Sequence, residues 1–298
     1  MEGIIIKGLG GLYDILCDGS IVQCRARGVF RHENITPYVG DRVVIEDDCI
    51  VDIVDRHNTL IRPPMANLDI LFIVAAAKKP LPVTATLDKM ISIADHKGIE
   101  PVVIITKNDL DPIKANELKE IYSSIGVDVF VTDPDSDKAE LLGYFKEKCR
   151  GKISAFSGAS GVGKSTLLNA LFPNLGLATG DVSRKIQRGR HTTRHIELYP
   201  LSGLFEDEGY DGFIADTPGF SMLDPTIYDD YTVEELPYTF REFRPCLGEC
   251  KYTKCTHTKE EGCAVLEAVK EGRIPQSRHE SFLELHGILK NIHSWDKK

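Results

Sequence analysis

The residues best suited to chemistry lie in "GASGVGKST", positions 158–166. Gly158 to Ser165 reads as glycine, four intervening residues, then glycine, lysine and serine. That spacing lets a backbone wrap closely around phosphate oxygens. Successive N–H groups and the N-terminus of a following helix supply positive potential there. Lys164 would reach the β- and γ-phosphates, and Ser165 would bind Mg2+. Gly158, Ala159, Ser160, Gly161, Val162, Gly163 and Thr166 complete the expected nucleotide contacts. An apolar run precedes the loop and a helix-like run follows it, which is the context the motif requires.

Two further segments bear on the same phosphates. "DTPG", Asp216 to Gly219, closes another apolar run. Asp216 would hold Mg2+ through water, and the Gly219 amide would sense the γ-phosphate. Between the two motifs lies "GRHTTRH", Gly189 to His195. One of Thr192 or Thr193 is expected to contact Mg2+ and the γ-phosphate, with Thr193 placed in the catalytic set. The glycine and basic residues suit a segment that nucleotide orders. Phe220 follows "DTPG", where many GTPases carry a glutamine that orients the attacking water. A phenyl ring makes no hydrogen bond to water, so hydrolysis by the chain alone is expected to be slow. A partner or the threonine loop would supply the missing group, and His191 is the choice for positioning water.

A phosphate loop does not choose between ATP and GTP; "TKND", Thr106 to Asp109, does. One carboxylate, that of Asp109, accepts from both N1–H and the N2 amine of guanine. Adenine offers no such pair and would leave the carboxylate unpaired. The Lys107 stem can lie across the base plane. Thr106 stands where asparagine is usual, which removes one expected bracing hydrogen bond but not the base contact. Asn108 completes the base-reading set.

In an ordinary GTPase the base reader follows the phosphate loop. Here it comes first, so the complete set of pieces is rotated. Termini of compact domains often lie close together, and joining them permits such a permutation. The new ends then fall beside the "DTPG" switch, with a cysteine-rich segment directly downstream.

That segment, "CKYTKCTHTKEEGC", supplies Cys250, Cys255, His257 and Cys263. Three thiolates and an imidazole suit tetrahedral Zn2+, and four protein ligands leave no open position. The site is therefore expected to be structural, with metal binding part of folding. Cys246 is a spare thiol that could substitute.

The elements that must position these groups fall into three segments. Residues 1–66 read as short β-prone runs broken by Gly, Asp and Asn, with the spacing of a five-stranded barrel of the OB type. Residues 67–235 alternate buried strands with amphipathic helices, which predicts an open α/β sheet. Residues 236–298 are cysteine-rich and then helical, through "AVLEAVKEG" and "RHESFLELHGILKNI". The expected fold class is thus α/β: a circularly permuted P-loop GTPase domain, an N-terminal OB-type β-barrel and a C-terminal zinc-binding helical domain.

Composition excludes several classes. No run approaches the roughly 18 apolar residues of a membrane span. "MEGIIIKGLGGLYD" lacks a basic start leading to a long apolar core, so no secretory signal is expected. A net charge of −9 argues against a uniformly basic nucleic-acid binder. The charge is uneven, however: Arg184 to Arg194 contains no acid, and Ile196 to Glu235 contains no Lys or Arg.

Taken together, "TKND" before "GASGVGKST", then "GRHTTR", "DTPGF" and "CKYTKCTHTKEEGC" followed by "AVLEAVKEGRIPQSRHESF", resemble the ribosome small subunit-dependent GTPase A family, RsgA, also called YloQ or YjeQ. The resemblance covers essentially the whole chain. It implies a GTPase that converts GTP to GDP and phosphate, is stimulated by the small ribosomal subunit, and acts in late maturation of that subunit. It implies one structural Zn2+, Mg2+ with GTP, the small subunit and its rRNA as partners, and a place in the bacterial cytoplasm; no membrane partner is expected, and the chain is expected to be a monomer. The family's further base loop has only Val131 to Asp133 as a stand-in. Two other classes remain to be told apart: an RNA-binding module with a degenerate pocket, which would not bind GTP, and a P-loop kinase or ATPase, for which Asp109 would be incidental.

Overall fold

The structure, a computed structural model, describes residues 1–28, 30, 35–61, 63–173, 196–207, 209–216 and 232–291. The chain forms two compact units, Met1–Val74 with Pro134–Met222, and Ala75–Asp133 with Leu223–Lys298. The described strands are β1 (Glu2–Leu9), β2 (Leu12–Cys17), β3 (Ser20–Ala26), β4 (Arg42–Glu46), β5 (Cys49–Ile53), β6 (Thr59–Leu60), β7 (Met65–Ala66), β8 (Ile70–Ala76), β9 (Glu100–Thr106), β10 (Asp128–Val131), β11 (Ile153–Ser157), β12 (Glu197–Pro200) and β13 (Phe213–Asp216). The helices are α1 (Thr84–Lys97), α2 (Pro112–Ser124), α3 (Ala139–Lys148), α4 (Lys164–Leu171), α5 (Leu201–Phe205), α6 (Ala264–Lys270) and α7 (Gln276–Lys290).

In the first unit, β1 pairs with β2 and with β4, β2 with β3, β3 with β5 in parallel, and β5 with β4. The circuit closes a five-stranded barrel, as the spacing of its β-prone runs predicts. Closure removes sheet edges that would otherwise present unpaired N–H and C=O groups. Ile5, Ile15, Val43 and Ile50 fill its interior. Strand β1 also pairs with β12 at Lys7 and Glu197, so the barrel continues into the second sheet of this unit.

That sheet runs β8, β11, β13 and β12. β11 is parallel to both β8 and β13, while β12 is antiparallel to β13. Every residue of β8 and of β11 is buried, as expected for parallel strands covered on both faces. Phe72 stacks on Phe145 of α3 and on Phe156 of β11, with ring centroids 4.3 and 4.9 Å apart. The phosphate-loop strand is thereby fixed by its neighbours on both edges and on one face.

In the second unit, β9 and β10 pair in parallel from Val102 and Asp128 to Ile105 and Val131. Helix α1 buries Leu87, Met90, Ile91, Ile93 and Ala94 and ends at Gly98, whose φ of 68° fits the left-handed cap. Helix α2 starts with Pro112 and is capped by Asp111, whose carboxylate accepts from Lys114 N at 3.2 Å. The C-terminal part of this unit packs Leu236, Phe240, Phe243, Val265, Phe282, Leu285 and Leu289 into one apolar cluster. The two amphipathic helices expected there are α6 and α7.

Candidate functional site

Strand β11 delivers the chain to the phosphate loop at its C-terminal end, and α4 carries it away. Gly158 has φ 145°, and a Cβ there would lie 2.2 Å from Val74 O. Only glycine fits this close approach to the neighbouring strand. Gly163 caps α4 with φ 98°. Val162 is 3% exposed, which anchors the loop between its glycines.

Lys164 opens α4 and turns back over the loop. Its ammonium donates to Gly158 O at 2.5 Å and to Ala159 O at 3.2 Å. Burial pulls its pKa below that of an ordinary lysine, because a charged amine is costly in a desolvated place. A phosphate oxygen beside it would favour the charged form. Ser165 lies half-buried in the first turn of α4. The site thus holds a fixed cation, a helix N-terminus and a hydroxyl within one short segment.

Asp216 ends β13, which runs parallel to β11 with Ala155 opposite Ala215. The backbone therefore brings position 216 to the same edge of the sheet from which the phosphate loop springs. Across the antiparallel ladder, Asp216 faces Glu197. Thr217 to Gly219, Phe220, Thr192, Thr193 and His191 lie outside the described residues.

In the second unit, Thr106 ends β9 and is 6% exposed. Its hydroxyl donates to Ala75 O at 3.2 Å, and its carbonyl accepts from Ala77 N at 2.9 Å. The threonine that replaces asparagine is thus itself a brace to the adjoining segment. Lys107 adopts the left-handed conformation at φ 57°, and its ammonium donates to Lys79 O. Asn108 N donates to Thr132 O at 3.3 Å, and a single 3-10 turn spans Asn108–Leu110. Asp109 sits exposed on that turn. The Lys107 backbone reverses the chain so that Asp109 leaves the sheet rather than extending it.

Sequence reasoning missed Lys79 and gave Thr132 little weight. Both hold the turn that follows β9 through backbone carbonyls, which no side-chain motif marks.

Cys250, Cys255, His257 and Cys263 place their donor atoms within 4.8 Å of one another. Cys250 Sγ lies 3.6 Å from His257 Nδ1 and 3.9 Å from Cys263 Sγ, which is 3.5 Å from the same nitrogen. Metal–sulfur bonds of about 2.3 Å and a metal–nitrogen bond of about 2.0 Å in a tetrahedron give edges of about 3.5 to 3.8 Å. The donors therefore fit one thiophilic cation. Burial first, then the neighbouring thiols against a hydrogen bond from the backbone, push the Cys255 thiol up to about 12. A thiolate there needs a cation. Ala264 N donates to Cys250 Sγ at 3.4 Å, and His279 Nε2 meets His257 O at 2.9 Å, so both ligands are held from outside the cluster. Glu260 clamps the intervening loop, accepting from Thr256 N, Thr258 N and Lys259 N at 2.9 to 3.0 Å. Cys246 is buried in the apolar core and is not one of the four.

Comparison with known proteins gives the same architecture. The chain matches the family model described as RsgA GTPase over residues 53–226 and that described as RsgA N-terminal domain over residues 2–49. It is 41% identical over 300 residues to a protein of Listeria monocytogenes named small ribosomal subunit biogenesis GTPase RsgA 2, covering 98% of each chain. It is 41% identical over 308 residues to the RsgA of Bacillus subtilis, covering 97% of this chain and 98% of that one. Among solved structures it resembles YloQ, described as a circularly permuted GTPase, with 38% identity, a TM-score of 0.75, and coverage of 97% of this chain and 95% of that one. YjeQ from Thermotoga maritima aligns with 32% identity and a TM-score of 0.79, covering 98% of this chain and 99% of that one.

Proposed function

The chain belongs to the RsgA family of GTPases, and on that premise we propose that it hydrolyses GTP to GDP and phosphate as a switch in the biogenesis of the small ribosomal subunit. The observation that carries the reading is the phosphate loop: a Gly158 that admits no side chain, a Lys164 held over the loop, and a helix starting behind it.

In this reading Gly158 to Thr166 hold the phosphates, with Lys164 moving from the carbonyls of Gly158 and Ala159 to the β- and γ-oxygens. Thr106 to Asp109 select guanine, with Asp109 accepting from both edge donors and Thr106 bracing the turn. Ser165 and Asp216 hold Mg2+, which, when bound, neutralises charge on the phosphate oxygens. Thr192 or Thr193, His191 and Gly219 keep the parts proposed for the threonine loop and the second switch, with Thr193 and His191 in the catalytic set. With Phe220 after the second switch, turnover is slow until the small subunit supplies what is missing.

Cys250, Cys255, His257 and Cys263 hold one Zn2+ with no open position, so the metal is structural. The chain divides functionally into an OB-type barrel at 1–66, a permuted GTPase domain at 67–235 and a zinc-braced helical module at 236–298. The partner surface includes rRNA. Tyr13 and Tyr38 line a cavity of about 230 Å3 on the first unit, and the Arg56 guanidinium lies 4.7 Å above the Tyr38 ring. Aromatic faces of this kind stack unpaired bases without regard to sequence. The net charge of −9 makes docking a matter of shape rather than bulk electrostatics. Among the described residues no helix is long and apolar enough to cross a membrane. The proposed setting is the cytoplasm, with the protein acting as a monomer.

The test is GTP turnover of the full chain with isolated small subunits, with large subunits, and alone. Small subunits should accelerate it selectively. Equal acceleration by large subunits would overturn the ribosomal assignment, and equal use of ATP would overturn the guanine assignment.

A further inference from the structure

Lys7, Glu197 and Asp216 occupy one row across three adjacent strands. Lys7 of β1 is the register partner of Glu197 of β12, and Glu197 is the register partner of Asp216 of β13. Neighbouring strands lie about 4.8 Å apart, so Glu197 is one strand from position 216 and Lys7 about 10 Å from it. The Lys7 ammonium donates to Glu197 Oε2 at 3.0 Å. Both side chains are about a third exposed, at 36% and 35%. An ion pair this wet adds little to stability. Its consequence lies instead in the charge it cancels.

Register places Glu197 directly across from position 216, so its carboxylate adds negative charge at that end of the sheet. Lys7 offsets that charge. It does so from the barrel, the segment of the first unit that carries no nucleotide motif.

We propose that Lys7 is a positioning residue for the nucleotide site: by neutralising Glu197 it sets the negative charge beside Asp216, and hence how strongly nucleotide binding depends on Mg2+. This rests on reading Asp216 as the Mg2+ group. Removing Lys7 leaves one more anionic charge near the bound phosphates. Nucleotide without metal is then repelled, while the dication is attracted in proportion to its double charge. Binding becomes more dependent on Mg2+. Removing Glu197 instead leaves an unpaired ammonium, which favours phosphates without metal and opposes the dication. The two single substitutions therefore act in opposite directions, which loss of a structural contact would not produce.

The experiment measures the affinity of the full chain for a fluorescent GDP derivative in excess Mg2+ and in excess chelator, and takes the ratio. Lys7→Met is expected to raise the ratio about threefold or more, and Glu197→Gln to lower it. Lys7→Met with Glu197→Gln, which removes the pair with no net change of charge, should bring it back toward the parent value. An unchanged ratio in Lys7→Met overturns the proposal. So does a shift of both single variants in the same direction, or a double variant that stays at the Lys7→Met value. Asp216→Asn tests the underlying reading separately, since it should flatten the Mg2+ dependence whatever stands at position 7. If it leaves the ratio intact, the Asp216 assignment fails, and that failure is read without reference to Lys7.

Discussion

Arg278 Nη1 lies 2.8 Å from Asp88 Oδ1, although 190 residues separate the two in sequence. The side chains are 0% and 1% exposed. The same guanidinium donates to Glu242 at 2.6 Å and 3.2 Å and covers the Phe240 ring at 4.5 Å. Ser281 Oγ adds a bond to Asp88 at 2.5 Å, and farther along α1 Asp95 pairs with Arg241 at 2.6 Å. Asp88, Ser92 and Asp95 each meet a polar partner from the C-terminal segment, which thereby holds α1 along its length. The neighbour of Arg278 is His279, which bonds the carbonyl of the metal-cluster residue His257. The cluster and α1, the helix that precedes β9, are thus parts of one unit.

Arg278→Met should destabilise the protein by about 3–5 kcal/mol, because Asp88 and Glu242 would remain as buried charges without their counter-ion. Urea unfolding followed by circular dichroism reads this directly. A loss below about 1 kcal/mol would show that packing around Phe240 and Phe282, rather than the ion network, secures the C-terminal segment.

Asp109→Asn should weaken GTP binding by about a hundredfold, from two charge-assisted hydrogen bonds worth together about 3 kcal/mol or more. The same change replaces an acceptor by an amide that can donate, so affinity for xanthosine triphosphate should rise. Calorimetric titration with both nucleotides checks the pair. Unaltered preference for GTP would remove Asp109 from the site.

Two glycines give a matched contrast. At Gly158 a Cβ would meet Val74 O at 2.2 Å with φ at 145°, so Gly158→Ala should cost about 1–3 kcal/mol and abolish tight nucleotide binding. Gly143, exposed within α3, has nothing within 4 Å of the added atom. Gly143→Ala should stabilise by about 0.5–1 kcal/mol and leave binding unaltered. Thermal melts with and without GDP compare them.

Cys255→Ser should reduce zinc from about one per chain to near none, because three ligands do not close a structural site. The melting temperature should fall with it, since Cys263 and the cluster ligands pack against Phe243 and Phe282. A chelator acting on the parent should reproduce the effect, and added zinc should reverse it. Metal analysis by mass spectrometry, alongside melts, decides whether the four residues bind as a set.

The sequence by itself carried the groups whose chemistry is local. A phosphate loop needs consecutive backbone amides and one lysine, so its whole device fits in "GASGVGKS". A metal site made by residues 250–263 is similarly compact, and strands buried on both faces announce themselves as unbroken apolar runs such as "LDILFIVAAA". The rotated order of motifs was legible for the same reason, since each piece is recognisable alone.

Only the tertiary structure decided what depends on partners far along the chain. It closed the barrel through a parallel β3–β5 pairing, gave the Thr106 hydroxyl its place on Ala75, and brought the carbonyls of Lys79 and Thr132 to the turn that follows β9. It set Lys7 beside Glu197 and Arg278 between Asp88 and Glu242. A charged residue shows its type in sequence but not its counter-ion, because which charges meet is fixed by strand register and helix packing across nearly two hundred residues.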